Sequence, residues 1–140
     1  MFGSLDISTS ALVAQRTRMD VIAGNIANAY STQRLDGQPG PYKRRFAVFA
    51  AGNPAGASPS APGVHVEAVE EDPAPGRLVY DPQHPDAIRT GPRAGYVEYP
   101  NVDLATEMVD AIEAARAYEA NITAMDVTKS MISASLRLLA

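Results

Sequence analysis

Asp81, His84 and Asp86, in "YDPQHPDA", are the residues whose types and spacing could do chemistry. Two carboxylates and an imidazole so close together are donors that a divalent ion accepts. A metal centre needs three or four converging ligands and a second shell, and the chain's other histidine, His65, sits on a predicted strand. The competing reading is a turn bracketed by prolines in which the aspartates cap backbone amides. Other reactive chemistry has less to work with. The sequence has no cysteine, no serine in a glycine-flanked elbow and no glycine-rich phosphate loop, so no activated nucleophile or nucleotide site stands out. Glu70-Glu71-Asp72 reads as a solvated strand end, and Lys43-Arg44-Arg45 as an exposed edge that discourages strand pairing. The expectation is a protein that is not an enzyme, with no cofactor and no metal.

The totals narrow the class further. A chain of 140 residues fits one domain, or a small domain with an extended part. Apolar residues make up 46% but aromatics only 6%, and alanine, which buries little area, supplies much of the apolar count. Packed helices fit that composition better than a thick core. The net charge of −4 and the scattered basic residues argue against a nucleic-acid partner. No apolar run approaches the roughly 20 residues that span a bilayer, so no stable membrane insertion is expected. The first basic residue is Arg16, so the N-terminus lacks the positive region of a cleaved secretory signal.

Residues of the loop type are confined to the middle. All 11 prolines lie between Ser31 and Pro100, and the stretch from Asn101 has neither proline nor glycine. Two long terminal helices flanking an irregular insert follow, a mainly α fold with a small β insert. The boundaries are 1–30 for an N-terminal axial helix, 31–100 for the insert with its linker, and 101–140 for a C-terminal axial helix.

The C-terminal zone repeats in heptads. With Met108 at position a, the a residues are Met108, Ala115, Ile122, Lys129 and Leu136. The d residues are Leu104, Ala111, Tyr118, Met125, Ile132 and Leu139. Only Lys129 breaks the apolar pattern, which predicts a coiled-coil helix roughly 55 Å long. Asn101 or Asp103 can cap its start, and Glu107 and Asp110 lie near the positive end of its dipole. The N-terminal zone shows the repeat more weakly, with Leu5, Leu12, Met19 and Ile26 at a, and Ser8, Gln15, Ile22 and Ala29 at d. Ser4 is its candidate cap, with Asp6 in the first turn. The two helices are expected to pair through these a and d residues as a hairpin, parallel or antiparallel.

Each helix carries a second stripe of small residues and asparagine. It runs through Ala11, Ala14, Asn25 and Asn28 on the first helix and through Ala114, Ala117, Asn121 and Ala124 on the second. A helix with two seams can pack against two neighbours. Because the chain offers one internal partner for each helix, the second stripe is expected to meet another subunit. The alternative is that these alanines and asparagines face water.

The insert reads as four short strands in "PYKRRFAVFA", "GVHVEAVEE", "GRLVYD" and "GYVEYP", with "GNPAGASPSAPG" as a low-complexity linker. Such strands make a small twisted addition and not a second stable domain.

Whole segments also resemble a known family. "ALVAQRTRMDVIAGNIANA" is similar to the N-terminal signature of bacterial flagellar axial proteins, through Ala11, Ala14, Met19, Ala23, Asn25, Ile26, Ala27, Asn28 and Ala29. "GYVEYPNVDLATEMVDAIEAARAYEANITAMDVTKSM" resembles the C-terminal block of the family's proximal-rod branch, the C type, and "DGQPGPY" and "LVYDPQHPDA" resemble its middle. Two departures, the longer "IRTGPRA" before "GYV" and the linker, fall in the variable middle. The resemblance implies a structural subunit that stacks helically with copies of itself and with other rod proteins. It implies a place in the periplasm-spanning rod of the flagellar basal body, reached through the flagellar type III export apparatus without a cleaved signal peptide. The terminal helices would form a coiled-coil layer on assembly. Three rivals stand beside this reading: another rod or axial component, a soluble coiled-coil adaptor, and a small metal enzyme built on Asp81, His84 and Asp86.

Overall fold

A computed structural model describes residues 2–34, 37–52 and 62–139. Its elements run α1 (Phe2–Ala27), β1 (Arg45–Ala51), β2 (Val64–Glu71), β3 (Arg77–Tyr80), β4 (Tyr96–Tyr99) and α2 (Leu104–Leu139). The mainly helical fold with a small β insert is as the composition predicts. Most of the "GNPAGASPSAPG" linker lies outside the described residues.

α2 starts where the sequence supplies a cap. Asp103 accepts a hydrogen bond from the Ala105 amide at 3.1 Å and from the Thr106 hydroxyl at 2.9 Å, which satisfies donors the helix cannot pair itself. α1 begins at Phe2, ahead of Ser4, so Ser4 lies inside the helix and does not cap it. At its other end Asn28 closes α1. Its Nδ2 donates to the Gly24 carbonyl at 2.9 Å, and its Oδ1 accepts from the Ser31 hydroxyl at 3.1 Å.

The helices run antiparallel. Arg18 of α1 reaches Asp110 and Glu113 of α2, whereas Asn25, further along α1, reaches back to Glu107. Counting from Asn25 opposite Glu107, at the rise common to both helices, the start of α1 falls opposite about residue 130. The remaining turns of α2 run on alone, and Met131 and Leu136 there are 64% and 62% exposed.

The strands form two separate antiparallel pairs, β1 with β2 and β3 with β4. The β1–β2 register runs from Arg45 opposite Glu71 to Ala51 opposite Val64, with a bulge at Val48/Phe49. This hairpin packs on α1, and Ser10 of α1 accepts a hydrogen bond from the Val64 amide at 3.1 Å. Among the described residues, α2 packs against α1 and against no strand, and the β3–β4 pair packs against no other element. α1 is therefore the central element, with α2 and the hairpin as its two neighbours.

That arrangement corrects one expectation. The second neighbour of α1 is not necessarily another subunit, because the hairpin supplies it within the chain.

Candidate functional site

The segment leading into β1 meets both helices in one buried polar cluster. Asn25 and Glu107 are both completely buried, and each is a type of side chain that burial penalises unless its polar atoms are paired. Asn25 is fully paired. Its Nδ2 donates to the Arg45 carbonyl at 2.7 Å and to Glu107 Oε2 at 3.1 Å. Its Oδ1 accepts from the Arg45 amide and from the Tyr42 hydroxyl, each at 2.9 Å. One side-chain amide thus pairs with both backbone groups of one strand residue, as a neighbouring strand would.

Glu107 completes the cluster from α2. Its Oε1 accepts from Arg44 Nε at 2.6 Å, a charge-assisted bond at the short end of the range. Arg44 also lies 3.4 Å from Asp110, and its backbone amide donates to Asn101 Oδ1 at 3.1 Å. Arg18 approaches the same Asp110 at 3.5 Å from α1. Burial pushes the Tyr42 phenol above its ordinary value; the Arg45 guanidinium works against that, and Glu107 and Glu71 add to it. Tyr42 therefore stays a neutral donor toward Asn25 at neutral pH.

These partners escaped the sequence reading in part. Arg44 and Arg45 were expected at an exposed strand edge, and Glu107 only near a helix dipole. A signal was nonetheless present. Extended back one heptad, the small-residue stripe through Ala114 and Ala117 lands on Glu107 and Asp110, the residues that face Asn25 and Arg18.

Within one chain residues of both stripes are buried. Ala14, Asn25 and Ala114 are buried inside the molecule, although they were assigned to contacts between subunits. Ala11, Asn28, Ala117 and Asn121 are half-buried and Ala124 is exposed. Asn121 Nδ2 bonds back to the Ala117 carbonyl of its own helix at 2.8 Å. Of the residues assigned to the pairing seam, Ile22 is buried, and Leu5, Leu12, Met19, Ile26, Leu104, Tyr118, Met125 and Ile132 are half-buried. Met108 and Ile122 are turned outward at 55% and 40% exposure, and Leu136, 62% exposed, lies past the start of α1, so none of the three pairs α2 with α1. The side chain of Leu139 lies outside the described residues. Small side chains such as Ala14 and Ala114 are the ones fully enclosed, while Met108 and Ile122 at a are turned to solvent.

Away from α1, α2 presents Met108, Val109, Ile112, Ile122 and Val127 to solvent, and where it runs on past the start of α1 it also exposes Met131 and Leu136. Among the described residues no other element covers them.

The would-be metal ligands serve a turn. The Asp81 carboxylate accepts from the Gln83 amide at 3.2 Å, and His84 Nδ1 accepts from the Asp86 amide at 3.1 Å. Asp86 accepts from the Thr32 hydroxyl at 2.8 Å and Gln33 Nε2 at 2.7 Å, tying the turn to the chain just after α1. The Gln33 and Thr32 hydrogen bonds hold the Asp86 carboxyl below its usual range. Among the described residues no three histidines and carboxylates gather as an ion would require.

Two terminal helices, one with a bare apolar side, around a β insert define a subunit of the axial type. Family models agree at both ends: one described as flagella basal body rod protein matches residues 5–33, and one described as flagellar basal body rod FlgEFG protein C-terminal matches residues 93–138. The likeness to flagellar basal-body rod protein FlgC spans nearly the whole chain. It is 45% identical to that of Borreliella burgdorferi, covering 99% of this chain and 97% of the relative. It is 40% identical to that of Bacillus subtilis, covering 98% and 97%. For that of Escherichia coli O6:H1 the identity is 43%, covering 95% and 93%. The chain belongs to the FlgC family of flagellar basal-body rod proteins.

Proposed function

We propose that this chain is a structural, non-enzymatic subunit of the flagellar proximal rod, polymerising helically into part of the drive shaft that transmits motor torque. The observation that carries the reading is the outward side of α2. Seven exposed large apolar residues on a helix with one internal neighbour among the described residues are more than a monomer ordinarily leaves in water. Other copies and other rod proteins are its partners. In this reading residues 1–30 and 101–140 build the helical axial layer and residues 31–100 lie on it. Met108, Ile122 and Leu136 then serve as seam residues between subunits, with Ala124 beside them. The half-buried Ala11, Asn28, Ala117 and Asn121 border that contact.

The subunit reaches a periplasm-spanning rod through the flagellar type III export apparatus, without a cleaved signal. Among the described residues no helix is long and apolar enough to cross a membrane, in keeping with a part that passes through membranes only during export. The test is deletion of the gene in its own host, with complementation. Loss of swimming, and basal bodies that stop short of a complete rod in electron micrographs, is the expected result. Normal rods in the deletion strain would overturn the assignment.

A further inference from the structure

We infer that the Asn25–Glu107–Arg44 cluster is a register lock, which fixes the offset of α1 against α2 and ties the hairpin to that same offset. The need for a lock follows from the seam. Its buried side chains are mostly small: Ser8 and Ala14 on α1 and Ala114 on α2, with Ile22 the one large apolar member among the described residues. Along α2, alanine recurs at Ala111, Ala114 and Ala117, so a slide by three residues brings an alanine to the place of buried Ala114. Apolar packing at that point distinguishes such offsets weakly.

The polar cluster distinguishes them sharply. A slide by those three residues brings Leu104 or Asp110 to the place of Glu107. Arg44 Nε and Asn25 Nδ2, at 2.6 and 3.1 Å from the carboxylate they share in the observed register, then face a leucine or a carboxylate one methylene shorter. A buried polar pairing of this kind selects one arrangement among several of similar packing. Because Asn25 also holds the Arg45 amide and carbonyl, β1 cannot dock at its observed place unless α1 presents Asn25 there. Helix offset and hairpin docking become one decision. The inference concerns the single chain and does not depend on what the chain assembles into.

The native sequence has no cysteine, so two can be introduced for spin labels without background. Asp20 and Asp126 are exposed, and in the observed register they are separated along the helix axes by on the order of 20 Å. With D20C/D126C labels in dilute protein, a single narrow distance is expected. Adding Asn25→Leu should introduce further distances reflecting offsets of about one 5.4 Å turn. Arg44→Met, at the half-buried margin of the cluster, should populate the same distances to a smaller extent. Ile22→Ala removes buried apolar surface without touching the cluster; it should melt earlier and keep the single distance. Any of three results overturns the lock: an unchanged distance in Asn25→Leu or Arg44→Met, equal broadening in Ile22→Ala, or loss of all helix in Asn25→Leu without shifted folded forms.

Discussion

Gly95 lies beneath the ring of Tyr80: a Cβ built on it would stand 2.7 Å from Tyr80 Cε2, and its φ of 85° is in the left-handed region. The same glycine follows the 91–94 turn, accepts from the Asp81 amide and donates to the Ile88 carbonyl, so it closes the loop between β3 and β4. Gly95→Ala is expected to destabilise this hairpin by about 1 kcal/mol from the backbone alone. The exposed Tyr80 ring can swing aside, so Tyr80→Ala should recover little of the loss. Amide exchange at Val79 and Val97 is the measurement; unchanged protection would mean the loop tolerates a side chain there.

Ile22→Asp and Leu136→Asp separate folding from assembly. Ile22 is 6% exposed, and an unpaired carboxylate there costs several kcal/mol, so the helix pair should come apart in the monomer. Leu136 is on the unaccompanied part of α2, so the aspartate should leave the monomer's circular dichroism nearly unchanged while rods fail to form. Normal swimming with Leu136→Asp would show that the exposed end of α2 is not an interface.

Asp86 makes one anchor sensitive to acid. Its carboxyl is held below the ordinary aspartate value of 3.8 by hydrogen bonds from Gln33 and Thr32. A depressed folded value means that the contribution is fully present above 3.8 and is lost as the pH falls from there through the folded value. Wild type and Asp86→Asn, compared in urea from neutral pH downward, should differ most near neutrality and converge in acid. A constant difference would mean that the charge does not matter to the anchor.

Asp103→Ala removes the cap of α2. About 1 kcal/mol of local stability should be lost, with faster amide exchange at Ala105 and Thr106. Asp103→Ser should restore most of it. If alanine changes nothing, the Glu107 cluster alone suffices to hold that helix end.

Amide exchange on the monomer should be graded along α2. Residues 104–118 include those that meet the cluster and the buried Ala114, whereas among the described residues no element stands opposite those after about 130. Strong protection near Arg116 with almost none at Leu136 is expected at low micromolar concentration. Uniform protection over the helix would mean that isolated helix propensity is enough.

The elements were readable because their signals are local. Prolines and glycines mark where helix cannot continue, so α1, α2 and all four strands fall within a few residues of the places their sequences indicate. The faces were harder. Heptad counting ranks residues by apolarity and so chose Met108, Ile122 and Leu136, whereas close approach of two helices rewards the smallness of Ala14 and Ala114. Nor can periodicity see a partner 82 residues away: the pairing of Asn25 with Glu107 exists only once the chain has turned back on itself. Asp81, His84 and Asp86 show the converse, since their types suited an ion and only the placement of Thr32 and Gln33 shows their use in a turn.

The uneven lengths of the two helices give the molecule a direction, like an arrow. At one end a cap, a carboxylate and an amide hold everything in place; at the other, α2 projects bare past the beginning of α1. Where such bodies join head to tail, the stack stays open unless a rotation closes it into a ring. A shaft made from them has two chemically distinct tips. An arriving subunit then meets a different surface at each tip, and growth can be confined to one of them with no further instruction.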